Sequence, residues 1–227
     1  MRERALIHVA GPPGSGKTTF VEAILSIADW PVLVARCIRD DALRRERETE
    51  SENHPELRRY RQAGASGVAL FVFPGNIAWN GFFLTKLMED YSRAVFLEGD
   101  SPFEFVDFRV FVAPAPQDDE TLFVWRTRHL AAGQRGRAAI SQRYVGIERA
   151  QLVVVNVRSE YERKGGEQIV ADVVQLRKDK ELYDDILGFR RSKLPITAVV
   201  ANLNDPHDPG RKKALARVRR ALRSRAA

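Results

Sequence analysis

The sequence predicts a doubly wound α/β fold, in which a mostly parallel sheet carries flanking helices. Apolar, β-branched runs alternate along the chain with segments of helical periodicity, as in strands joined by crossover helices. Several of these runs are apolar throughout, which is typical of strands covered on both faces. The predicted strands are Ala5–Ala10, Val32–Ile38, Val68–Phe73, Ala94–Leu97, Arg109–Ala113, Leu122–Trp125, Leu152–Val157 and Ile196–Ala201.

Five segments have the apolar spacing of helices. Lys17–Ala28 follows a glycine-rich turn, and Asn76–Asp90 starts on a favourable N-cap residue. Glycines interrupt a weaker candidate, Ala131–Arg149. The other two are Glu167–Leu187 and a segment that runs from Gly210 to the C-terminus.

Two segments of unusual composition are predicted to be loops. Asp40–Arg61 is dense in mixed charge and poor in apolar residues, whereas Ala113–Glu120 is rich in proline and acidic residues. Residues 99 to 150 also fit a repeating strand–helix pattern poorly. We therefore predict a small antiparallel insertion at residues 101–150, within a single domain that spans residues 1–227.

The basic character of the chain is concentrated at its C-terminus. The net charge is +7, but residues 211 to 227 hold eight Arg or Lys and no acidic residue, which leaves −1 on the rest. The helix predicted over residues 210–227 is interpreted as a solvated terminal helix, or as a contact for an acidic partner, anionic lipid or nucleic acid. Its narrow apolar stripe and lack of aromatic residues disfavour membrane anchoring and base stacking.

Composition excludes several other classes of protein. A chain of 227 residues, 44% of them hydrophobic, suits one α/β domain. Cys37 is the single cysteine, so no internal disulfide forms, and its apolar surroundings place it in the core. The four histidines, His8, His54, His129 and His207, are too far apart in sequence to indicate a metal site. No run of 18 apolar residues predicts a membrane span, and a cytoplasmic location is expected.

The strongest signal is the run GPPGSGKT at residues 11–18. It matches G-x-x-x-x-G-K-[ST] in full, between a predicted strand and a predicted helix. Gly14 and Gly16 allow backbone angles that a Cβ atom would block, so that successive N–H groups can point at phosphate oxygens. The pattern predicts the phosphate cradle of a P-loop nucleoside triphosphatase. The predicted nucleotide-binding residues are Gly11, Pro12, Pro13, Gly14, Ser15, Gly16, Lys17, Thr18 and Thr19.

Three side chains of this cradle have distinct predicted roles. Lys17 places a cation on the β- and γ-phosphates and is a predicted catalytic residue. The Thr18 hydroxyl is a predicted Mg²⁺ ligand, and Thr19 is within reach of the α-phosphate. A nucleoside triphosphate is therefore the predicted ligand and Mg²⁺ the predicted cofactor.

Acidic residues that follow two predicted strands complete the candidate site. Glu98 comes directly after the strand Ala94–Leu97, at the end that faces the ligand crevice of an α/β sheet, and is the second predicted metal ligand. Asp40 and Asp41 follow another strand. Asp40 is predicted to orient the attacking water or to hold a metal-bound water, and an ordinary surface acid is the alternative.

Four stretches of residues 5 to 100 together resemble a known family. They are GPPGSGKTTFVEAIL, VLVARCIRDD, ELRRYRQAGASGVALFVFP and AVFLEGD. The chain resembles molybdopterin-guanine dinucleotide biosynthesis protein B, and it is similar to the wider group of P-loop GTPases that includes the urease and hydrogenase nickel-insertion proteins. The resemblance implies GTP binding, slow hydrolysis, Mg²⁺ and a protein partner in metal-cofactor maturation. It places these roles on Gly11, Gly14, Ser15, Gly16, Lys17, Thr18 and Glu98, and less directly on Asp40.

The chain departs from this group where the base is read. Guanine-specific members often carry Asn-Lys-x-Asp after a strand, and the corresponding stretch here is VVVNVRSE. Asn156 is present, but Val157 replaces Lys, Ser159 replaces Asp, and Glu160 is one residue out of register. The resemblance favours GTP and leaves ATP open.

The leading hypothesis is a Mg²⁺-dependent NTPase, with GTP as the favoured nucleotide, that assists maturation or delivery of a molybdenum or other metal cofactor. Asp40–Arg61 is predicted to act as a switch that orders when the γ-phosphate is bound. One alternative is a small-molecule kinase whose lid contains Arg126, Arg128, Arg135 and Arg137. Another is a nucleotide-gated scaffold with little turnover. A homodimer is compatible with each reading.

Overall fold

The computed structural model describes residues 5–40, 47–49, 54–73, 94–99, 106–117, 120–126, 137–178 and 197–223. The strands in these stretches are β1 (Ala5–Ala10), β2 (Val32–Arg39), β3 (Arg47–Thr49), β4 (Gly67–Phe73), β5 (Ala94–Gly99), β6 (Phe108–Pro114), β7 (Phe123–Arg126), β8 (Arg137–Ile140), β9 (Leu152–Asn156) and β10 (Thr197–Ala201). The helices are α1 (Lys17–Leu25), α2 (Pro55–Gln62), α3 (Glu160–Lys178) and α4 (Pro209–Arg223). None of these helices is long and apolar enough to cross a membrane.

The main sheet confirms the predicted doubly wound α/β class. Its strand order is β10-β9-β6-β1-β5-β2-β4-β3, and neighbours are parallel except for β3, which pairs antiparallel with β4 at the edge. The chain first builds the β5 side of β1 and then crosses to the β6 side. The carboxyl end of β1 therefore borders the crevice where ligands bind in such sheets.

The predicted antiparallel element is smaller than residues 101–150. Strands β7 and β8 form a separate antiparallel pair, in which Arg126 lies opposite Arg137. Strand β6, in contrast, belongs to the main sheet and pairs with both β1 and β9. Its residues 110–113 are almost completely buried, which explains their continuous apolar pattern.

Helices cover the sheet through two large apolar clusters. Phe20 of α1, Tyr60 of α2 and Leu215 of α4 share one cluster with alternate residues of the strands. On the other face, α3 packs Ile169 and Val173 against β6 and β9. Cys37 is buried in a third cluster, and burial raises the pKa of its thiol, which confirms its predicted core position.

Helix α3 begins at Glu160, whereas the sequence predicted a start at Glu167. The cap explains the difference, because the Glu162 amide donates to Ser159 Oγ at 3.2 Å. Gly165 and Gly166 then lie inside the helix, although glycines usually weaken one. A Cβ at Gly166 would come within 3.1–3.3 Å of three valine methyl groups of the sheet region, so the glycine permits close helix–sheet packing.

Two other sequence predictions were wrong in part. The helix predicted over Ala131–Arg149 is replaced, within its described residues, by β8 and two short 3₁₀ turns. Gly146 separates these turns in a left-handed conformation. The segment Asp40–Arg61, predicted to be a loop, contains β3 and most of α2, because Leu57 and Tyr60 bury against the core despite the charged surroundings. The predicted helix Asn76–Asp90 lies outside the described residues.

A buried ion pair attaches α4 to α3. Asp208 is buried, and its Oδ1 accepts a hydrogen bond from the Arg211 amide at 2.9 Å, which caps α4. Its Oδ2 accepts another from Arg163 Nη2 of α3 at 2.7 Å. Burial opposes ionisation, but these hydrogen bonds hold the pKa of Asp208 below its usual value. The basic helix is therefore fixed to the domain at its N-terminal end.

Asp208→Asn is expected to lower the free energy of unfolding by about 2 kcal/mol at neutral pH, since a cap and a charge-assisted hydrogen bond are lost. A carboxylate with a depressed folded-state pKa stabilises above its unfolded pKa and ceases to do so as the pH falls through the folded value. The difference from wild type, measured by urea unfolding, should therefore shrink below about pH 4. Asp205→Asn, at an exposed carboxylate in the same loop, is the control. If Asp208→Asn lowers the free energy of unfolding equally at neutral pH and below about pH 4, this explanation is contradicted.

Candidate functional site

The loop between β1 and α1 has the backbone shape that the glycine pattern predicted. Gly14 and Gly16 have φ values of 73° and 100°, in the left-handed region that favours glycine. A Cβ at Gly16 would lie 2.4 Å from Nδ2 of Asn156, so a side chain there would collide with a neighbouring strand end. Helix α1 starts directly after this glycine and directs its N-terminus into the loop.

Lys17 lies between the loop and a carboxylate from the neighbouring strand. Its Nζ donates to the carbonyl oxygens of Gly11 at 2.8 Å and Pro12 at 2.9 Å. The same Nζ is 3.9 Å from Oε1 of Glu98. The Lys17 ammonium is therefore held within the loop, close to Glu98, which the sequence analysis assigned to the same site.

Glu98 is a fully buried carboxylate with two cations beside it. It lies on β5, in register with Val9 of β1 on one side and Arg36 of β2 on the other. The Arg36 guanidinium contacts Oε2, whereas Oε1 makes no hydrogen bond among the described residues. Burial opposes the charge of Arg36, but the carboxylates of Glu98 and Glu56 outweigh it and raise the pKa of Arg36. A charge buried this deeply requires such pairing.

Helix α2 contributes two residues to the same cluster. Oε2 of Glu56, in the first turn, is 2.5 Å from Nε of Arg36. Tyr60, one turn later, is completely buried, and burial and then the Glu98 carboxylate raise the pKa of its hydroxyl. Within the described part of the chain this hydroxyl completes no hydrogen bond of ordinary geometry, and Thr18 is close enough to interact with it. Helix α2 is thus connected to both predicted metal ligands.

These groups surround an open cleft of about 410 Å³. Six of the nine predicted nucleotide-binding residues line it, together with Glu98 and six residues of other elements. The lining residues are Pro13, Gly14, Gly16, Lys17, Thr18, Thr19, Arg36, Glu56, Arg59, Glu98, Asn156, Arg158 and Asn204. The cleft therefore follows the carboxyl edge of the sheet from the β2 side to the β9–β10 side.

The remaining predicted site residues, among those that the structure describes, do not line this cleft. Gly11 and Pro12 provide the carbonyl groups that hold Lys17, and Ser15 is buried behind the loop. Asp40 follows β2, and its amide donates to the Phe73 carbonyl at 2.9 Å. Its catalytic role stays a prediction, and Asp41 lies outside the described residues.

Asn156 joins the end of β9, where the sequence was compared with base-reading motifs, to the glycine-rich loop. It is buried, its Nδ2 donates to the Ser15 carbonyl at 3.0 Å, and its Oδ1 accepts from the Leu203 amide at 3.2 Å. Both ends of the amide are thus occupied by backbone groups. Arg158 and Asn204 remain as the cleft-lining side chains beside it.

The donor set fits a magnesium ion. Thr18 offers a hydroxyl and Glu98 a carboxylate, which are the oxygen ligands that Mg²⁺ prefers. Oε1 of Glu98 makes no hydrogen bond among the described residues, so it is available for a metal or a metal-bound water. The described residues contain no group of three or more His, Cys, Asp or Glu that could hold a metal by themselves. A metal here would therefore depend on phosphate oxygens and water as well.

Comparison with known proteins gave structural matches alone. No family model and no curated protein matches the chain. The structure of HypB from Helicobacter pylori in complex with nickel aligns with a TM-score of 0.57 at 13% identity, over 99% of this chain and 89% of that one. Hydrogenase maturation factor HypB from Archaeoglobus fulgidus gives 0.58 at 14% identity, over 96% and 90%. This chain has the P-loop nucleoside triphosphatase fold. The structural alignments establish the shared fold. Because the sequence identities are so low, the reaction must be argued from the residues of the site.

The structural neighbours fall within the wider group that the sequence resembles. They are hydrogenase-maturation proteins, and the specific resemblance to the molybdopterin protein gains no support from them.

Three residues of the cluster around Glu98 had no predicted role of their own: Arg36 and Glu56, which line the cleft, and Tyr60, which is buried. A signal existed for Arg36, because an arginine inside the apolar run VLVARCI is unusual without a partner. Nothing in the sequence indicated that this partner is Glu98.

Proposed function

We propose that the chain is a Mg²⁺-dependent P-loop nucleoside triphosphatase, with GTP as its nucleotide, that assists the maturation or delivery of a metal cofactor. The position of Lys17 is the observation that carries the proposed triphosphatase activity. Its ammonium lies in a glycine-rich loop within 3.9 Å of a buried strand-end carboxylate, in one open cleft. Ordinary helix-start turns do not need such a pair.

The chain's own residues can supply most of the phosphate chemistry. The loop amides and the N-terminus of α1 stabilise negative charge on the phosphates. When the nucleotide binds, Lys17 would exchange its hydrogen bonds to the Gly11 and Pro12 carbonyls for hydrogen bonds to phosphate oxygens. Its positive charge would then offset the charge of the phosphates. Thr18 and Glu98 would hold magnesium, which supplies neutralising charge to the β- and γ-phosphates when bound. Positioning and charge stabilisation are what phosphoryl transfer chiefly requires.

The role in metal-cofactor maturation is supported by the two structural neighbours and by the sequence resemblance. One neighbour is a hydrogenase maturation factor and the other is a HypB in complex with nickel. We propose that nucleotide hydrolysis by this chain controls a protein partner that handles the metal. Molybdenum stays a prediction of the sequence, and the choice of metal is left to experiment.

A titration of the chain with GTP, ATP and their diphosphates, with and without Mg²⁺, tests this proposal. The expected result is Mg²⁺-dependent triphosphate binding, with phosphate release that needs no added acceptor. Release that depends strictly on an acceptor would replace hydrolysis with kinase chemistry. Tight binding with turnover at background would replace it with a nucleotide-gated scaffold. No binding of any nucleotide would end all three readings.

The base preference is expected to be weak. Ser159 stands where guanine-specific members of the group have a carboxylate, and the Glu160 side chain is 89% exposed and pairs with Arg163 at 3.3 Å. The backbone N–H of Asn204 donates to Oδ1 of Asn202 at 3.1 Å, so this main-chain donor near the cleft is already used. One charge-assisted hydrogen bond to guanine would favour GTP over ATP by about tenfold. Because no carboxylate is placed to make that bond, we expect a preference below this factor.

Ser159→Asp is expected to raise the affinity for GTP by about 10- to 100-fold and to leave ATP almost unchanged. The new carboxylate can accept hydrogen bonds from guanine N1–H and N2–H, and a net gain of about 1.5–3 kcal/mol, the usual contribution of one charge-assisted hydrogen bond, corresponds to this factor. Competition between labelled GTP and ATP measures the ratio. Glu160→Ala is the matched control at the adjacent carboxylate and should not change it. If Glu160→Ala abolishes GTP preference, Glu160 reads the base in place of residue 159.

A further inference from the structure

Arg36 is a charged residue inside the apolar run Val32–Ile38 of β2. Its neighbours Ala35 and Cys37 are buried, whereas its own side chain is 22% exposed and reaches the cleft. It contacts Glu98 through Nη1 and lies 2.5 Å from Glu56 through Nε. The guanidinium is thus held between the sheet and α2, with one face toward the place where a ligand would bind.

The sheet order shows which end of a nucleotide Arg36 faces. Lys17 and Glu98 lie on the β5 side of β1, and β2, which carries Arg36, is the next strand outward. Asn156, the last residue of β9, and Asn204, which follows β10, lie on the opposite side of β1. Because Lys17 takes the β- and γ-phosphates, the terminal phosphate points toward β5 and β2, and the base toward β9 and β10.

The charges of the cluster also fit an exchange of partners. Without a ligand, the buried Glu98 carboxylate has Lys17 near one oxygen and Arg36 on the other. A magnesium ion beside Glu98 brings two positive charges, as many as these two side chains supply together. Both cations can then turn to the phosphates without leaving a buried carboxylate uncompensated. Glu56 keeps the guanidinium in place while it changes partner.

We propose that Arg36 is a catalytic arginine supplied by the chain itself, which leaves Glu98 when nucleotide and magnesium bind and then contacts the terminal phosphate. The inference rests on the proposed triphosphatase function. In the step, a water oxygen forms a bond to the γ-phosphorus, the bond from that phosphorus to the β–γ bridging oxygen breaks, and its electron pair leaves with the diphosphate. The proton lost by the water passes to the released phosphate or to solvent. Arg36 donates N–H groups to the charge that develops and exchanges no proton.

The exchange would also transmit the state of the nucleotide to α2. Glu56 connects Arg36 to the first turn of this helix, and Tyr60 contacts the region of Thr18 one turn later. A change of partner by Arg36 therefore acts on a helix within the segment predicted to respond to the γ-phosphate. A partner protein that contacts α2 would read whether triphosphate or diphosphate is bound.

Steady-state hydrolysis by Arg36→Ala and Arg36→Lys tests the proposal. We expect kcat to fall about 100- to 1,000-fold in Arg36→Ala, because arginines that contact the transferring phosphate contribute at least this much. Arg36→Lys keeps a cation beside Glu98 but lacks the planar fork, so it should fold normally and still lose at least about 30-fold. Diphosphate affinity should stay within about threefold in both variants. Wild type, but neither variant, should bind aluminium fluoride tightly in the presence of diphosphate.

Arg143→Ala is the matched control. Arg143 is 29% exposed and pairs with Glu120 at 2.6 Å, but it does not line the cleft. It should lose no more than about threefold in kcat.

The outcomes separate the two proposals. If wild type does not hydrolyse any triphosphate, the proposed function itself fails. If wild type is active and a folded Arg36→Lys keeps its full kcat and its aluminium fluoride binding, the inference about Arg36 is wrong and the function stands. Loss of kcat in Arg59→Ala but not in Arg36→Lys would assign the role to Arg59, which also lines the cleft. A diphosphate affinity that falls as much as kcat would also overturn the inference, because it would mean a collapsed site.

Discussion

Lys17→Ala is expected to lower the turnover of triphosphate by about 100- to 1,000-fold, which is the usual cost of removing one donor that stabilises transition-state charge. The structure gives the reason, since the Lys17 ammonium lies between the loop carbonyls and the strand-end carboxylate, where the β- and γ-phosphates would bind. Affinity for triphosphate should fall by about 100-fold, and affinity for diphosphate by less, because the γ-phosphate contact is absent there. Isothermal titration with each nucleotide and a phosphate-release assay measure both effects.

The control for this change is Lys164→Ala, which removes an exposed lysine of α3 that does not line the cleft. It should bind and hydrolyse as wild type does. Loss of the Lys17 hydrogen bonds also frees two loop carbonyls, so thermal unfolding should be recorded for both variants. Unchanged triphosphate affinity in a folded Lys17→Ala protein would be incompatible with the phosphate site.

Glu98→Gln is expected to reduce both stability and activity. Glutamine keeps the shape of the side chain but leaves the Arg36 cation without its buried counter-charge, and removing one partner of a buried pair costs about 3 kcal/mol or more. The amide is also a poor magnesium ligand, so turnover should fall by about 100-fold or more and require a higher Mg²⁺ concentration. Urea unfolding and a Mg²⁺ titration of the hydrolysis rate measure the two effects.

Glu148→Gln separates the loss of a buried carboxylate from the loss of this particular one. Glu148 is also buried, and its carboxylate accepts a hydrogen bond from the Gly146 amide at 2.9 Å, away from the cleft. This variant should be less stable than wild type but should hydrolyse with the same dependence on Mg²⁺. If both variants keep the wild-type Mg²⁺ dependence, Glu98 does not take part in metal binding.

The region around Arg36 shows why some of the site escaped sequence reasoning. Arg36 and Glu98 are 62 residues apart, and they meet because β2 and β5 are neighbours in exact register, which no local pattern reveals. The charged composition of Asp40–Arg61 indicated a loop, yet Leu57 and Tyr60 are enough to bury one side of α2. Burial by distant strands outweighed the local preference of the charged residues.

Local chemistry along the chain was sufficient to predict the shape of the glycine-rich loop and the strand pattern of the main sheet. The backbone angles of Gly14 and Gly16 depend on adjacent residues, and so they can be predicted from a short motif. A continuous apolar run likewise indicates a strand covered on both faces without reference to distant residues. Tertiary structure decided which distant groups share the cleft: Arg36 with Glu98, Tyr60 with Thr18, and Asn156 with the Ser15 carbonyl. Such partners depend on strand order and register, because a parallel sheet brings together strand ends that are far apart in sequence.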